Sequence, residues 1–188
     1  MTVGNITFRL ATTEDAVPLE VLINTAYRSD KTTQVFLTTE LAARAINIVS
    51  VASITAKIAD PTTVVLVAVD PHGALVGHCN LRPLDNKGLV SFGTFAVDVG
   101  RQSRGLGSQM MAYAEEYARR ELGATEMEIE VVHTRLGLIE WYKGWGYVAT
   151  GETTPFPYQY IGDWKGKLRD GLRFDILRKD LTKVHARS

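Results

Sequence analysis

The stretch Val97-Asp98-Val99-Gly100-Arg101-Gln102-Ser103-Arg104-Gly105-Leu106-Gly107-Ser108 runs from an apolar segment into a helix, and its reading decides that of the whole chain. A strand that turns through closely spaced glycines into a helix start presents unpaired backbone N–H groups, reinforced by the helix dipole, to an anion. Gly105 and Gly107 lack a Cβ, so the main chain tolerates unusual dihedrals there and can approach a pyrophosphate closely. Arg101 and Arg104 add positive charge. Behind the glycines Met110, Met111, Ala114, Tyr117, Ala118 and Leu122 recur at helical spacing, and Gly123 supplies a C-terminal stop. This is the pattern of a phosphate cradle opening an amphipathic helix. The competing reading is a glycine-rich turn that binds nothing.

Two other phosphate-binding motifs fit less well. Glu126, Glu128 and Glu130 lie at a distance suited to a ribose hydroxyl in a dinucleotide fold, but Met110 occupies the position where that fold wants Gly or Ala. The segment before the turn is also not the first strand. A Gly-x-x-x-x-Gly-Lys-Ser/Thr loop does not occur.

Working outward, residues 6–11 read as a first strand, and Thr12-Thr13-Glu14-Asp15 supply caps and early acidic residues for a helix to about Arg28. Leu19, Leu22, Ile23 and Ala26 mark its buried stripe. A second helix is expected over about 38–59. Strands over 62–69, 74–81 and 89–97, separated by turns at 70–73 and 85–88, form an antiparallel meander. The helix over 103–122 then crosses over to a strand at 127–132, which runs parallel to the last meander strand. A short helix over 134–145 and strands at 147–150 and 173–177 complete the chain. The fold class is a mixed α/β sheet of about seven strands, mostly antiparallel with a central parallel pair, flanked by about four helices, in a single domain spanning 1–188.

Gln102-x-x-Gly105-x-Gly107 after Phe95-Ala96-Val97-Asp98 resembles the acyl-coenzyme A signature of the GNAT acetyltransferase superfamily. Downstream, Val131-Val132-His133-Thr134 leads into Leu138-Ile139-Glu140-Trp141-Tyr142-Lys143-Gly144-Trp145-Gly146-Tyr147, which resembles that family's later strand, helix and Tyr-x-x-x-Gly-Phe/Tyr end. Plausible family elements run from about Ile6 to Leu181. Many members carry Pro where this chain has Val99, and Gly100 makes the approach to the cradle more flexible.

The resemblance implies an acetyl-CoA-dependent N-acetyltransferase, with acetyl-CoA or coenzyme A as co-substrate and a primary amine of a small molecule or peptide as acceptor. It assigns the coenzyme to Phe95, Ala96, Val97, Gln102, Ser103, Arg104, Gly105, Leu106, Gly107, Ser108, Thr134 and Tyr142. The pantetheine arm is expected to pair beside residues 95–97 like an added strand. Transfer to the amine is direct, so no nucleophilic Ser or Cys is required. Glu130, with Glu128 on the same face of its strand, is the expected base; the bland alternative is a solvated or salt-bridged sheet face. Tyr142 is the expected general acid, since a phenol near pKa 10 stays protonated at pH 7 yet can donate to a thiolate whose conjugate acid lies near 8.5. Its alternative is packing, because Leu138, Trp141, Tyr142 and Trp145 share one helix face. A non-catalytic coenzyme A-binding module of the same fold is the second reading of the chain.

Composition narrows the partners. Lys plus Arg equals Asp plus Glu at 21 each in 188 residues, so no net field gathers nucleic acid or an anionic membrane. Cys79 alone builds no disulfide or multi-cysteine metal site, and His72, His78, His133 and His185 lack ligand spacing, so no metal is expected. Neither a signal peptide nor an 18-residue apolar run occurs, and the expected location is cytoplasmic. The connection over 153–172 is too long for a hairpin loop. Phe156, Tyr158, Tyr160 and Trp164 within it suit a lid over an acceptor pocket and a homodimer contact equally well. Residues 28–34 form the expected opposite wall, by resemblance.

Overall fold

A computed structural model describes residues 6–29, 47–84, 87–102, 105–158 and 169–183. Its strands are β1 (Thr7–Leu10), β2 (Val64–Val69), β3 (Leu75–Pro83), β4 (Leu89–Val97), β5 (Glu126–Val132), β6 (Val148–Pro155) and β7 (Arg173–Asp180). They form one sheet in the order β1-β2-β3-β4-β5-β7-β6. Neighbours are antiparallel except β4 and β5, the parallel pair that a crossover helix requires. The α-helices among the described residues are α1 (Ala16–Arg28), α2 (Val51–Ala59), α3 (Leu106–Glu121) and α4 (Leu136–Gly144).

The sheet separates two apolar layers. On one face Met110, Met111, Ala114 and Ala118 of α3 and Ile139 and Tyr142 of α4 pack on Leu66, Cys79, Leu81, Phe92, Met127, Ile129 and Leu177. On the other, Leu19, Leu22, Ile23 and Ala26 of α1 and Ile54 of α2 pack on Val65, Val67 and Ala96. Alternation along β2 produces this division directly, with Leu66 and Ala68 facing one layer and Val65 and Val67 the other. Cys79 is a free, fully buried thiol within the first layer. No helix among the described residues is long and apolar enough to cross a membrane.

Most element boundaries shift by a few residues from the sequence reading. The expected helix over 38–59 begins, in its described part, at Val51, because Ser50 and Ser53 form a reciprocal cap with Ser53 N donating to Ser50 Oγ at 3.2 Å. Buried Asn24 of α1 holds the preceding residues outside any helix, its Oδ1 accepting from the Ile48 and Val49 amides and its Nδ2 donating to the Val49 carbonyl. Residues 38–46 lie outside the described residues. The penultimate strand starts one residue later than expected and runs on to Pro155. Tyr147 belongs instead to the core, where its hydroxyl donates to Met127 Sδ at 3.0 Å. The final strand likewise continues from Leu177 to Asp180.

The start of α1 is fixed by charge. Asp15 accepts a fork of hydrogen bonds from Arg9 at 2.7 and 2.8 Å and a third from the Thr12 amide. The Arg9 hydrogen bond, aided by the Thr12 amide and opposed by burial, holds the Asp15 carboxyl below its ordinary range. A lowered carboxylate pKa stabilises the fold above about pH 4, and that contribution disappears as pH falls through the lowered value. Asp15→Asn is therefore expected to be less stable than the parent at pH 7 in urea unfolding, with the gap closing below about pH 4.

Candidate active site

The central parallel pair is short. Registers run Leu89↔Glu126, Val90↔Met127, Ser91↔Glu128 and Phe92↔Ile129, and pairing stops there. Beyond it β4 keeps its other neighbour, with His78 opposite Ala96 and Gly77 opposite Val97 after a register break between His78 and Asn80. β5 likewise stays paired to β7 as far as Val132↔Phe174. Thr94 takes a φ of 48° at this irregularity, a left-handed conformation that costs a β-branched residue strain. The two strands thus part, and the strand edges of 93–97 and 130–132 face each other across a gap.

That gap is a cleft of about 700 Å³. Its walls come from Phe92 to Val97 of β4, Ile129 to Val132 of β5, Ala26 and Tyr27 at the end of α1, the start of α3, and α4. Phe95 stacks on Trp141 at 5.9 Å between ring centres, and Trp141 meets Tyr142 edge-on at 5.1 Å. These rings make one side an apolar wall.

The glycine cradle lies at the end of this cleft. Gly105 caps α3 with φ 82°, a left-handed conformation that glycine adopts without penalty. The first intrahelical bond runs from Gln109 N to Gly105 O, so the amides of Leu106 and Gly107 precede the helical ladder. A Cβ on Gly107 would sit 3.5 Å from Phe95 and 3.9 Å from Trp141, within the cleft itself. The approach is braced at Gly100: Asp98 Oδ1 accepts from Gly100 N, and the short helical turn Val99–Arg101 spans it. Arg101 does not offer its charge to the cradle. Its Nη2 donates at 2.5 Å to buried Asp70, whose carboxylate also accepts from the His72 and Ala74 amides. Those amides and Arg101 hold the Asp70 carboxyl below its ordinary range against the opposing effect of burial.

Of the residues assigned to the coenzyme by resemblance, Phe95, Ala96, Val97, Gln102, Gly105, Gly107, Ser108 and Tyr142 line the cleft together. Gln102 reaches back to the Val97 carbonyl at 3.5 Å. Leu106 is buried in the core beneath α3, and Thr134 stands just outside the lining. Ser103 and Arg104 lie outside the described residues. Both glutamates are engaged. Glu130 lines the cleft and accepts from the Thr154 hydroxyl at 2.6 Å. Glu128 is buried and accepts from Arg178 Nε at 2.7 Å, as the salt-bridged alternative anticipates.

Tyr142 is 3% exposed yet forms part of the cleft wall. Burial pushes its hydroxyl above the usual phenol range, Tyr27 adds to the rise, and Arg135 opposes it. Packing and a place in the site coexist at this residue. Sequence reasoning passed over Tyr27 and Arg135, which also line the cleft. Arg135 sits at the β5-to-α4 junction, the signal that could have flagged it. In the β6–β7 connection the Tyr158 hydroxyl donates to the Arg169 carbonyl at 2.6 Å and accepts from the Leu172 amide at 2.8 Å, joining its described ends. Phe156 stacks on Phe174, which lines the cleft. Tyr160 and Trp164 lie outside the described residues.

With this geometry in place, the comparisons with known proteins are specific. The profile of the Acetyltransferase (GNAT) family matches residues 28–147, and the chain belongs to that family. Among curated proteins none matches it. The PaiA N-acetyltransferase of Thermoplasma acidophilum, solved with coenzyme A, superimposes with a TM-score of 0.71 at 14% identity, covering 94% of this chain and 99% of that one. YncA of Salmonella typhimurium, solved with its cofactor acetyl-CoA, gives 0.67 at 17% identity over 97% and 98%. The spermidine N-acetyltransferase of Vibrio cholerae, solved with coenzyme A and spermine, gives 0.68 at 15% identity over 95% and 96%.

The Asp70 contacts give a test of loop rigidity. Asp70→Ala strands the amides of the 70–74 turn and the Arg101 guanidinium, so it is expected to destabilise the fold by about 1 to 3 kcal/mol. Hydrogen exchange should accelerate at residues 98–102 as well as in the turn itself.

Proposed function

We propose that the protein transfers an acetyl group from acetyl-coenzyme A to a primary amine of a small molecule or peptide. The observation that carries this reading is the parting of β4 from β5, which puts a free strand edge, a glycine-capped helix start and a buried tyrosine on one cleft. Membership of the acetyltransferase family supports it, as do the coenzyme-bound states of the related structures.

In this reading the pyrophosphate sits against the amides at Gly105 to Ser108, where a helix start favours an anion. The pantetheine arm pairs with the β4 edge at Phe95 to Val97, supplying the partner that β5 does not. The acceptor enters as an ammonium; deprotonating a lysine-like amine at pH 7 costs roughly 4 kcal/mol, an α-amine about 1. Glu130 takes that proton, its carboxylate held by Thr154. The amine nitrogen then attacks the thioester carbonyl, a C–N bond forms, the nitrogen sheds its second proton to solvent, and the C–S bond breaks with its electron pair on sulfur. In this reading the oxyanion is received by a backbone amide near Val97, since the register with β3 directs the Ala96 amide away from the cleft. Tyr142, kept neutral by burial, donates to the departing sulfur. Cys79 takes no part, since it is fully buried and burial pushes its thiol up, which suits direct transfer. The spermine held by the Vibrio cholerae relative supports an amine as acceptor class.

The engagement of Glu128 by Arg178 and of Glu130 by Thr154 favours a second reading, a coenzyme-binding module without a competent base. Release of free thiol from acetyl-coenzyme A in the presence of an amine separates the two.

Calorimetric titration is expected to give micromolar binding of acetyl-coenzyme A and none of NAD or ATP; absence of acetyl-coenzyme A binding would remove the proposal. Gly105→Glu should abolish that binding by placing a carboxylate at the cradle, with the fold retained. Tyr142→Phe should lower kcat by roughly 100-fold while coenzyme affinity stays near the parent value. Unchanged turnover would assign Tyr142 to packing alone.

A further inference from the structure

The cleft carries one cation without a counter-charge. Among the described residues its charged lining side chains are Glu130 and Arg135. Glu130 has the Thr154 hydroxyl, whereas Arg135 makes no ion pair and no side-chain hydrogen bond among the described residues. Its backbone is nonetheless tightly set. The Arg135 amide donates to the Val132 carbonyl at 2.8 Å, and its own carbonyl accepts from the Leu138 and Ile139 amides at 3.0 Å each. The junction between β5 and α4 therefore holds a half-buried guanidinium at the same wall as Tyr27 and Tyr142.

An unpaired guanidinium in an aromatic cleft is costly unless a ligand supplies the anion. Two anions arise in the proposed reaction at different places: the pyrophosphate, which the α3 start serves, and the sulfur of the leaving group. The chemistry at the sulfur needs help. An ordinary phenol near 10 is already a weaker acid than a thiol near 8.5, and burial moves Tyr142 further up. Tyr142 can thus hydrogen-bond to a thiolate, but complete proton transfer from it runs uphill. A fixed positive charge lowers the need for that transfer. We infer that Arg135 is a further catalytic residue, whose guanidinium stabilises the coenzyme A thiolate as the C–S bond breaks. The inference rests on the acetyltransferase reading above and deepens it at the leaving-group end. When the C–N bond forms and the C–S bond breaks, the electron pair remains on sulfur beside Arg135; of the two protons the ammonium loses on becoming an amide, the first goes to Glu130 and the second passes from nitrogen to solvent, and the thiolate leaves or is protonated from solvent after release.

The titratable groups that line the cleft among the described residues are Tyr27 from α1, Glu130 from β5, and Arg135 and Tyr142 from the β5–α4 segment, and buried Cys79 of β3 acts on Tyr142. Both tyrosines feel Arg135, which works against the upward displacement that burial imposes on each.

The test uses the full chain with coenzyme A carrying ¹³C at the carbon bonded to sulfur, and follows thiol ionisation of the bound coenzyme by NMR as pH is raised. In the parent the midpoint is expected below that of free coenzyme A; in Arg135→Met it should rise by about 1 to 2 pH units, and Arg135→Lys should restore most of the difference. Arg135→Met should also lower kcat by about 10- to 100-fold with coenzyme affinity little changed. An unchanged midpoint in Arg135→Met overturns the inference. So does a higher acceptor KM at unchanged kcat, which would turn the guanidinium toward an acceptor carboxylate instead. Should Arg135→Met not fold, Arg135→Gln measured against Arg135→Lys gives the same comparison. Failure of the parent to bind coenzyme A at all would instead remove the acetyltransferase reading, so the two failures are distinguishable.

Discussion

The parting of β4 and β5 after Phe92 and Ile129 is the constraint on which the molecule turns. A parallel pair at the centre of a sheet ordinarily continues to the strand ends, because each backbone amide and carbonyl left without a partner inside the protein costs free energy. Here the separation is sustained from both sides. β3 follows β4 through a register break, with Thr94 in a strained conformation, while β7 follows β5 without interruption to Val132. The sheet is stitched on either flank and open along one seam, and Gly105, Gly107, Glu130, Arg135 and Tyr142 border that seam.

Three loops are each held by a buried or clamped polar side chain. Asn24 ties the segment before α2 to α1, Asp70 ties the β2–β3 turn to Arg101 in the approach to α3, and Tyr158 joins the described ends of the β6–β7 connection. Loops carry their own backbone polarity, and a hydrogen-bonding side chain satisfies it at a geometry that an apolar contact cannot specify. The cost of the Thr94 backbone is then carried by a frame that over-determines it, which is the condition under which strain persists.

Much of this was legible in the sequence, and the parts that were not share a physical reason. The glycines at 105 and 107, the helix behind them and the alternation in β2 to β5 encode local geometry in local residue type, so seven strands and the parallel pair could be read directly. The true extent of β6 could not, because Val148 to Pro155 is almost uniformly exposed and carries no alternating pattern. Its place in the sheet comes from pairing to β7, with an irregularity around Gly151. The Ser50–Ser53 cap at the start of α2 is local, but the hold on residues 48 and 49 before it comes from Asn24, more than 20 positions earlier, which no local signal marks. Arg101 illustrates the same limit within the site: beside two glycines it reads as a phosphate ligand, but a carboxylate 31 residues away claims it.

The distribution of charge follows from the same seam. Away from the cleft, several charges on and near the sheet are paired: Lys179 with Glu115, Arg178 with Glu128 and Glu152, Arg9 with Asp15, Arg101 with Asp70. Paired charges project little field beyond their immediate surroundings, so a cleft bounded by aromatic rings is governed by the few charges left within it. Glu130 and Arg135 sit on consecutive segments of chain, one on the last turn-free stretch of β5 and the other at the junction to α4. Their opposite signs in one apolar space give the cleft a direction, with a proton-accepting group and a cation at different points along it. A net charge of zero over the whole chain therefore conceals a site whose polarity is local and fixed by two neighbouring elements.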